Sequence, residues 1–271
     1  MKKVILFSLV AFSLYSCKKT SEATSPTDGV SVATKAKISA LGFSTANVHK
    51  TADGYLVEGD ILLDDEILNS TPDQSLLRIA ENEQYRTTNL VKSLPRVITV
   101  GVSGLGQAFI DGTELAISRY NALGLQIAFQ RITSGRPEIT IQGFDQAASG
   151  GYITLGSSGF PTKRGNPYNT IKMNTNAQAY GSSPSVTYVG SVIQHELGHC
   201  IGMRHTDYYD RSISCGGAFS NEGASNIGAI LIPGTPSAAT LSAGSWMLAC
   251  SNGGDRTFNS NDIIGLNYLY K

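Results

Sequence analysis

The sequence predicts an α+β fold: a mixed twisted sheet carrying two long helices, then an irregular lower half that ends in a helix. Three observations lead there. Between residues 97 and 201 the apolar residues alternate with period two, and twice switch to a spacing of three and four, as strands interrupted by two helices do. After His205 the chain is rich in Gly, Ser and Asn, and Gly makes up 29 of the 271 residues, above the roughly 7 % of average proteins. Residues 259–270 then return to helical spacing.

Taken in order, residues 97–102 are β-rich and bounded by glycine, which predicts a strand. Residues 106–123 set Phe109, Thr113, Ala116, Tyr120 and Leu123 on one side of a helix that stops at Gly124. Leu125, Ile127 and Phe129 alternate with Gln126, Ala128 and Gln130, and Ile139 and Ile141 alternate with Glu138, Thr140 and Gln142; both patterns suit half-buried strands. Two short strands are expected at 152–155 and 170–173. The second helix is expected to open at Ser183-Pro184, with the serine as cap, and to bury Val186, Val189, Ile193, Leu197 and Ile201. The last helix should turn Ile263, Leu266, Tyr268 and Leu269 inward, with Ser260 or Asn261 as its cap.

The second helix carries the chemistry. His195-Glu196-Leu197-Gly198-His199-Cys200-Ile201-Gly202-Met203-Arg204-His205 contains all but one of the four histidines of the chain. Residues four apart share a helix face, so His195 and His199 can grip one ion. Glu196 adjoins the first of them, where its carboxylate can take a proton from water. Gly202 tolerates the backbone that ends a helix, which lets His205 return as a third ligand. Three neutral imidazoles leave one position of a tetrahedral zinc ion open, and an open position separates catalytic zinc from structural zinc. The alternative is a chance cluster of solvated or core histidines, and the concentration of histidines in this one stretch argues against it.

The stretch, H-E-x-x-H-x-x-G-x-x-H, resembles the metzincin zinc endopeptidases, and Ser245-Trp246-Met247 looks like their methionine turn, with Met247 beneath the metal. HELGHCIGMRHTDYYDRSISCGG, IPGTP at 232–236 and the ending SWMLAC…FNSNDIIGLNYLY are closer still to the bacterial dual-action HEIGH metallopeptidases, over most of residues 95–271. The resemblance implies a metzincin-like catalytic domain, one Zn2+ held by His195, His199 and His205, and Glu196 as the catalytic general base. It implies a protein or peptide substrate bound in an extended conformation. Residues 150–156 are a candidate sheet edge where such a substrate could add as a strand, or an ordinary short edge. Astacins carry Glu directly after the third His and Tyr two residues after the Met. Thr206 and Ala249 stand there, so no tyrosine zinc ligand is carried over. Tyr208 and Tyr209 read as packing or surface tyrosines ahead of transition-state donors.

Upstream, Met1-Lys2-Lys3 and the apolar run 4–14 have the layout of a secretory leader and are too short to span a bilayer. Leu14-Tyr15-Ser16-Cys17 resembles a bacterial lipobox. That implies a lipoprotein signal peptide over 1–16 and acylation of Cys17. The protein would then sit in the bacterial cell envelope, periplasmic or cell-surface, with release to the medium left open. An ordinary secretory signal with an incidental Cys17 is the alternative. Residues 17–35, rich in Ser, Thr, Lys and Ala, read as a flexible tether.

Residues 36–93 read as a prosegment or small N-terminal domain, and 94–271 as the catalytic domain. Val57-Glu58-Gly59-Asp60-Ile61 resembles the F-x-G-D-I stretch of astacin prosegments, where the aspartate fills the open zinc position and keeps the enzyme latent. Asp60 is then a candidate latency ligand, and proteolytic removal would fall within 78–96. Asp64 and Asp65 lie nearby, and an acidic turn on a small domain is the other reading.

Of the four cysteines, Cys200, Cys215 and Cys250 remain once Cys17 is set aside, and they allow three single pairings. Cys215 with Cys250 is the expected disulfide bond, tying the loop after His205 to the methionine turn; Cys200, on another helical face than the ligands, is expected packed or alternatively paired. Lys and Arg balance Asp and Glu at 21 each, so no electrostatic case exists for nucleic acid, and a monomer touching the membrane by its lipid anchor alone is expected. The reading is a secreted or lipid-anchored zinc metalloendopeptidase. Its rivals are a surface-binding lipoprotein with a non-catalytic zinc site and a zinc amidase acting on cell-wall peptide.

Overall fold

The computed structural model describes residues 29–69, 84–149, 151–223, 227–236, 241 and 244–271. The leader, Cys17, the tether to residue 28, Arg78 and Gly150 lie outside the described residues. The N-terminal part consists of helix α1 (Val32–Ala40), the antiparallel strands β1 (His49–Thr51), β2 (Gly54–Val57) and β3 (Ile61–Leu63), and a short helix α2 (Asp65–Leu68). Helix α1 begins inside the stretch expected to be tether. Ser31 caps it by accepting from Thr34 N, and Val30 and Ile38 are fully buried with Leu41 and Phe43 in a second cluster that also takes in Phe160 and Ile227. One cap and one buried valine are enough to order residues whose composition looks unstructured.

Strand β4 (Tyr85–Arg86) belongs with the catalytic half. Arg204 N donates to Tyr85 O at 2.9 Å, Thr87 N donates to Gly202 O at 2.8 Å, and Val91 packs in the main core. Residues 85–91 are thus bonded and packed with residues expected on the far side of the 93/94 boundary. Main-chain bonding across more than a hundred residues brings them together, and no local pattern announces that.

Strands β5 (Arg96–Ser103), β6 (Ile127–Arg131), β7 (Ile139–Phe144), β8 (Gly156–Ser157) and β9 (Thr170–Asn174) form one mixed sheet in the order β6-β5-β7-β9-β8. Every pairing is parallel except β8 with β9. Helix α3 (Gln107–Asn121) lies against β5 and β6 and buries Phe109, Thr113, Ala116 and Tyr120, as expected. A single turn, α4 (Ala177–Tyr180), leads to α5 (Val186–Cys200), which lies against β8 and β9. The two long helices meet at glycines: a Cβ on Gly112 would sit 3.0 Å from Gly190 N.

Two expectations shift. Residues 152–155 are not a strand, because Ser149 and Tyr152 bond each other across a turn at Gly151 (φ +84°), and Asn174 Nδ2 takes Thr154 O at 2.8 Å. Only the next two residues pair with β9. The cap of α5 is Ser185, which accepts from Tyr188 N, rather than Ser183, and Val186 at the first turn is only partly buried.

Below α5 the chain is irregular, with only α6 (Ser212–Cys215), β10 (Ile230–Leu231, paired with β4) and α7 (Ser260–Tyr270) as regular elements among the described residues. Asn259, rather than Ser260 or Asn261, caps α7 in a reciprocal box with Asp262. Its inner face is Asp262, Leu266 and Tyr270, while Tyr268 points out at 57 % exposure. Cys215 and Cys250 are disulfide-bonded, and Cys200 is free and buried.

Candidate metal centre

Helix α5 is buried on every side from Val189 to Cys200, with Val189, Ile193, Leu197 and Ile201 forming the apolar stripe and His195 and His199 facing the lower half. The helix stops because Gly202 takes φ +108°, and a Cβ there would come within 2.8 Å of Leu90 Cδ2 and 3.0 Å of Asn89 O. Only glycine fits this turn. The chain doubles back along β4 and delivers His205 beside His199.

The Nε2 atoms of His199 and His205 are 3.2 Å apart, and Asp60 Oδ2 lies 3.0 Å from His205 Nε2 and 3.4 Å from His195 Nε2. One ligand atom from each of these four residues falls within 4.8 Å of the others. The opposite edge of every imidazole is engaged. His195 Nδ1 donates to Trp246 O at 2.8 Å, His199 Nδ1 to Met203 O at 2.9 Å, and His205 Nδ1 to Glu222 Oε1 at 2.8 Å. A carbonyl can only accept, so His195 and His199 carry their proton on Nδ1 and turn the Nε2 lone pair inward. Converging lone pairs at this spacing repel unless a cation lies among them. Tetrahedral zinc with bonds of roughly 2.0–2.1 Å separates its ligand atoms by about 3.3 Å, close to the three distances of 3.0, 3.2 and 3.4 Å above. His195 Nε2 and Asp60 Oδ1, both buried, have no hydrogen-bond partner among the described residues. The donor set fits zinc.

The surrounding charges act on the imidazoles in opposite directions. Burial and the neighbouring imidazoles hold His199 well below the ordinary histidine range. Burial would lower His205 too, but the carboxylates of Asp60 and Glu222 raise it well above that range. Glu196 is 1 % exposed, and burial together with the Asp60 charge pushes its carboxyl well up. Ser158 Oγ donates to Glu196 Oε2 at 2.7 Å. The site opens on a cleft of about 860 Å³ whose walls include Tyr152, Gly156, Arg211 and Phe219.

Met247 is fully buried, and a Cβ on Gly198 would meet its Sδ at 2.6 Å, so the methionine turn packs directly under the ligand helix. Asp262 holds that turn, accepting from Ser245 Oγ at 2.7 Å, Trp246 N at 3.2 Å and Gln84 Nε2 at 2.5 Å. Tyr208 packs edge-on against Tyr85, and neither it nor Tyr209 lines the cleft.

The sequence reading missed Glu222, Glu58, Arg204, Arg211, Asp262 and Ser158. Glu58 is buried beside Arg204 at 3.5 Å, and Arg211 donates to its carbonyl. Glu222 bonds the outer edge of His205, but it arrives from a loop, and nothing local in the sequence marks it.

A family profile described as the dual-action HEIGH metallo-peptidases matches residues 57–270. Two solved structures of myroilysin align over 69 % and 68 % of this chain and 98 % and 86 % of their own, at 18 % and 17 % identity with TM-scores of 0.43 and 0.41. High choriolytic enzyme 1, a hatching enzyme zinc-protease from Oryzias latipes (medaka fish), aligns over 64 % of this chain and 88 % of its own at 17 % identity and a TM-score of 0.37. Comparison with curated proteins returns no match.

Proposed function

The chain belongs to the dual-action HEIGH metallo-peptidase family and is a zinc metallopeptidase, and from that premise we propose an endopeptidase made as a latent precursor, with Glu196 as its general base. The observation that carries the proposal is the position of Asp60. Its carboxylate stands where a tetrahedral ion on His195, His199 and His205 would keep its open site, so substrate and prosegment compete for one place. The tip is shaped for this: Glu58 (φ +57°) and Gly59 (φ +96°) turn the backbone between β2 and β3 and present Asp60 at the end. The edge of the sheet holds it, with Ser158 N donating to Asp60 O at 3.0 Å and Leu62 N donating to Ser158 O at 2.9 Å.

Zinc at this position would supply Lewis acidity and make water a better nucleophile near neutral pH. His195, His199 and His205 would hold it. Glu196 accepts the proton of the attacking water on its carboxylate and delivers it to the departing amine nitrogen as the C–N bond breaks. The sheet edge at Gly156–Ser158 takes the extended substrate backbone once the prosegment has left.

The test compares full-length parent, Asp60→Ala and Glu196→Gln chains on an unfolded protein substrate, with zinc content measured in each. Asp60→Ala is expected to cleave without prior processing. Glu196→Gln should keep its zinc and lose about 10²- to 10⁴-fold in rate after processing. Equal latency of parent and Asp60→Ala would sink the precursor reading, and a fully active Glu196→Gln would sink the base. A lipid-anchored position in the cell envelope is proposed on the Leu14–Cys17 sequence, and the Cys215–Cys250 bond supports an oxidising compartment. Fatty-acid labelling of the parent but not of Cys17→Ser is the expected result; label in neither removes the anchor.

A further inference from the structure

Ser158 joins two parts of the site that are otherwise separate. Its main chain bonds the prosegment on both sides of Ile61, through Asp60 O and Leu62 N. Its side chain is fully buried, and the hydroxyl lies 2.7 Å from Glu196 Oε2 and 3.1 Å from Glu196 O. The other carboxylate oxygen, Oε1, lies beside Gly156, where a Cβ would approach it to 2.9 Å and the Glu196 Cγ to 3.1 Å. The carboxylate is therefore clamped by a donor at one oxygen and by a bare backbone at the other.

We propose that Ser158 is the positioning residue for the general base, a role that rests on Glu196 acting as that base. A glutamate that takes a proton from water and returns it to an amine must keep the same oxygen toward the reacting atoms through both transfers. Left alone, the side chain would lose that aim by rotation about its terminal torsions. The hydrogen bond from Ser158 is charge-assisted and anchors Oε2, so Oε1 is the oxygen that carries the proton. The clamp keeps its place after the prosegment has left because Ser158 directly follows β8, which is paired to β9. Loss of an orienting contact of this kind costs catalysis without costing substrate binding.

The experiment uses the full-length chain brought to maximal activity by limited proteolysis, with a fluorogenic peptide substrate. The chains compared are the parent, Ser158→Ala, Ser158→Thr, Glu196→Gln and the Ser158→Ala/Glu196→Gln pair. Ser158→Ala removes one oxygen and adds no atom. Its kcat is expected to fall about 10- to 100-fold with KM and zinc content unchanged. Ser158→Thr, which keeps the hydroxyl, should recover most of the loss, and in the Glu196→Gln background Ser158→Ala should change nothing further. A parent-like kcat in Ser158→Ala overturns the proposal, as does an equal fold-loss in the Glu196→Gln background, which would mark a merely structural serine. Glu196→Gln as active as the parent overturns the base and the positioning role together. Inactive Glu196→Gln beside fully active Ser158→Ala overturns the positioning role alone.

Discussion

At the scale of single residues, the outer contacts of the three imidazoles decide how firmly the metal is held. Trp246 and Met203 offer carbonyls, which no substitution removes, whereas His205 depends on the Glu222 side chain. Glu222→Gln keeps the shape but replaces the carboxylate acceptor with a neutral amide. Zinc affinity measured by chelator competition should fall about 10- to 100-fold, with little change in the circular-dichroism spectrum. An unchanged affinity would mean that His205 is oriented by packing alone. The convergence of His195, His199 and His205 past Gly202 was legible because it follows from spacing on one helix and one turn. Glu222, Ser158 and Asp262 were not, because each acts across the fold on a partner at least 17 residues away, and spacing along the chain says nothing about such encounters.

At the scale of elements, the ligand helix is held in register by its crossing with α3. Gly112 and Gly190 let the backbones touch, and a side chain at either place would meet main-chain atoms that cannot rotate aside. Gly112→Val is expected to cost about 1–3 kcal/mol of stability, seen as a melting temperature lower by several degrees. A melting temperature equal to the parent's would show that the crossing can open freely. The strands β6 and β7 were legible as alternating apolar runs, β5 as a β-rich run bounded by glycine, and β9 as a short strand. β8 was not, since two residues of Gly and Ser carry no periodicity and their pairing is imposed by β9. The caps of α5 and α7 each fell within two residues of expectation, because neighbouring serines and asparagines are equally good acceptors and tertiary packing picks among them.

At the scale of the whole molecule, the residues that follow Gln84 pack with the catalytic half. β4 bonds the turn that carries His205, so a catalytic fragment beginning near residue 94 would lose contacts to Gly202 and Arg204. Maturation is expected on the N-terminal side of residue 84, where Arg78 is the basic residue available within the 78–96 window. N-terminal sequencing of the active form checks this, and a start beyond residue 87 contradicts it. The hairpin that presents Asp60 has a consequence of its own. While the chain is intact, Asp60 faces the metal at an effective concentration on the order of millimolar, as short tethers give. One cut converts that contact into an ordinary bimolecular equilibrium without altering a single bond in it. Clipped protein should therefore stay quiet when concentrated and switch on when diluted, so that with an anchor at Cys17 the severed prosegment would stay at the membrane and the catalytic part would gain activity as it diffuses away.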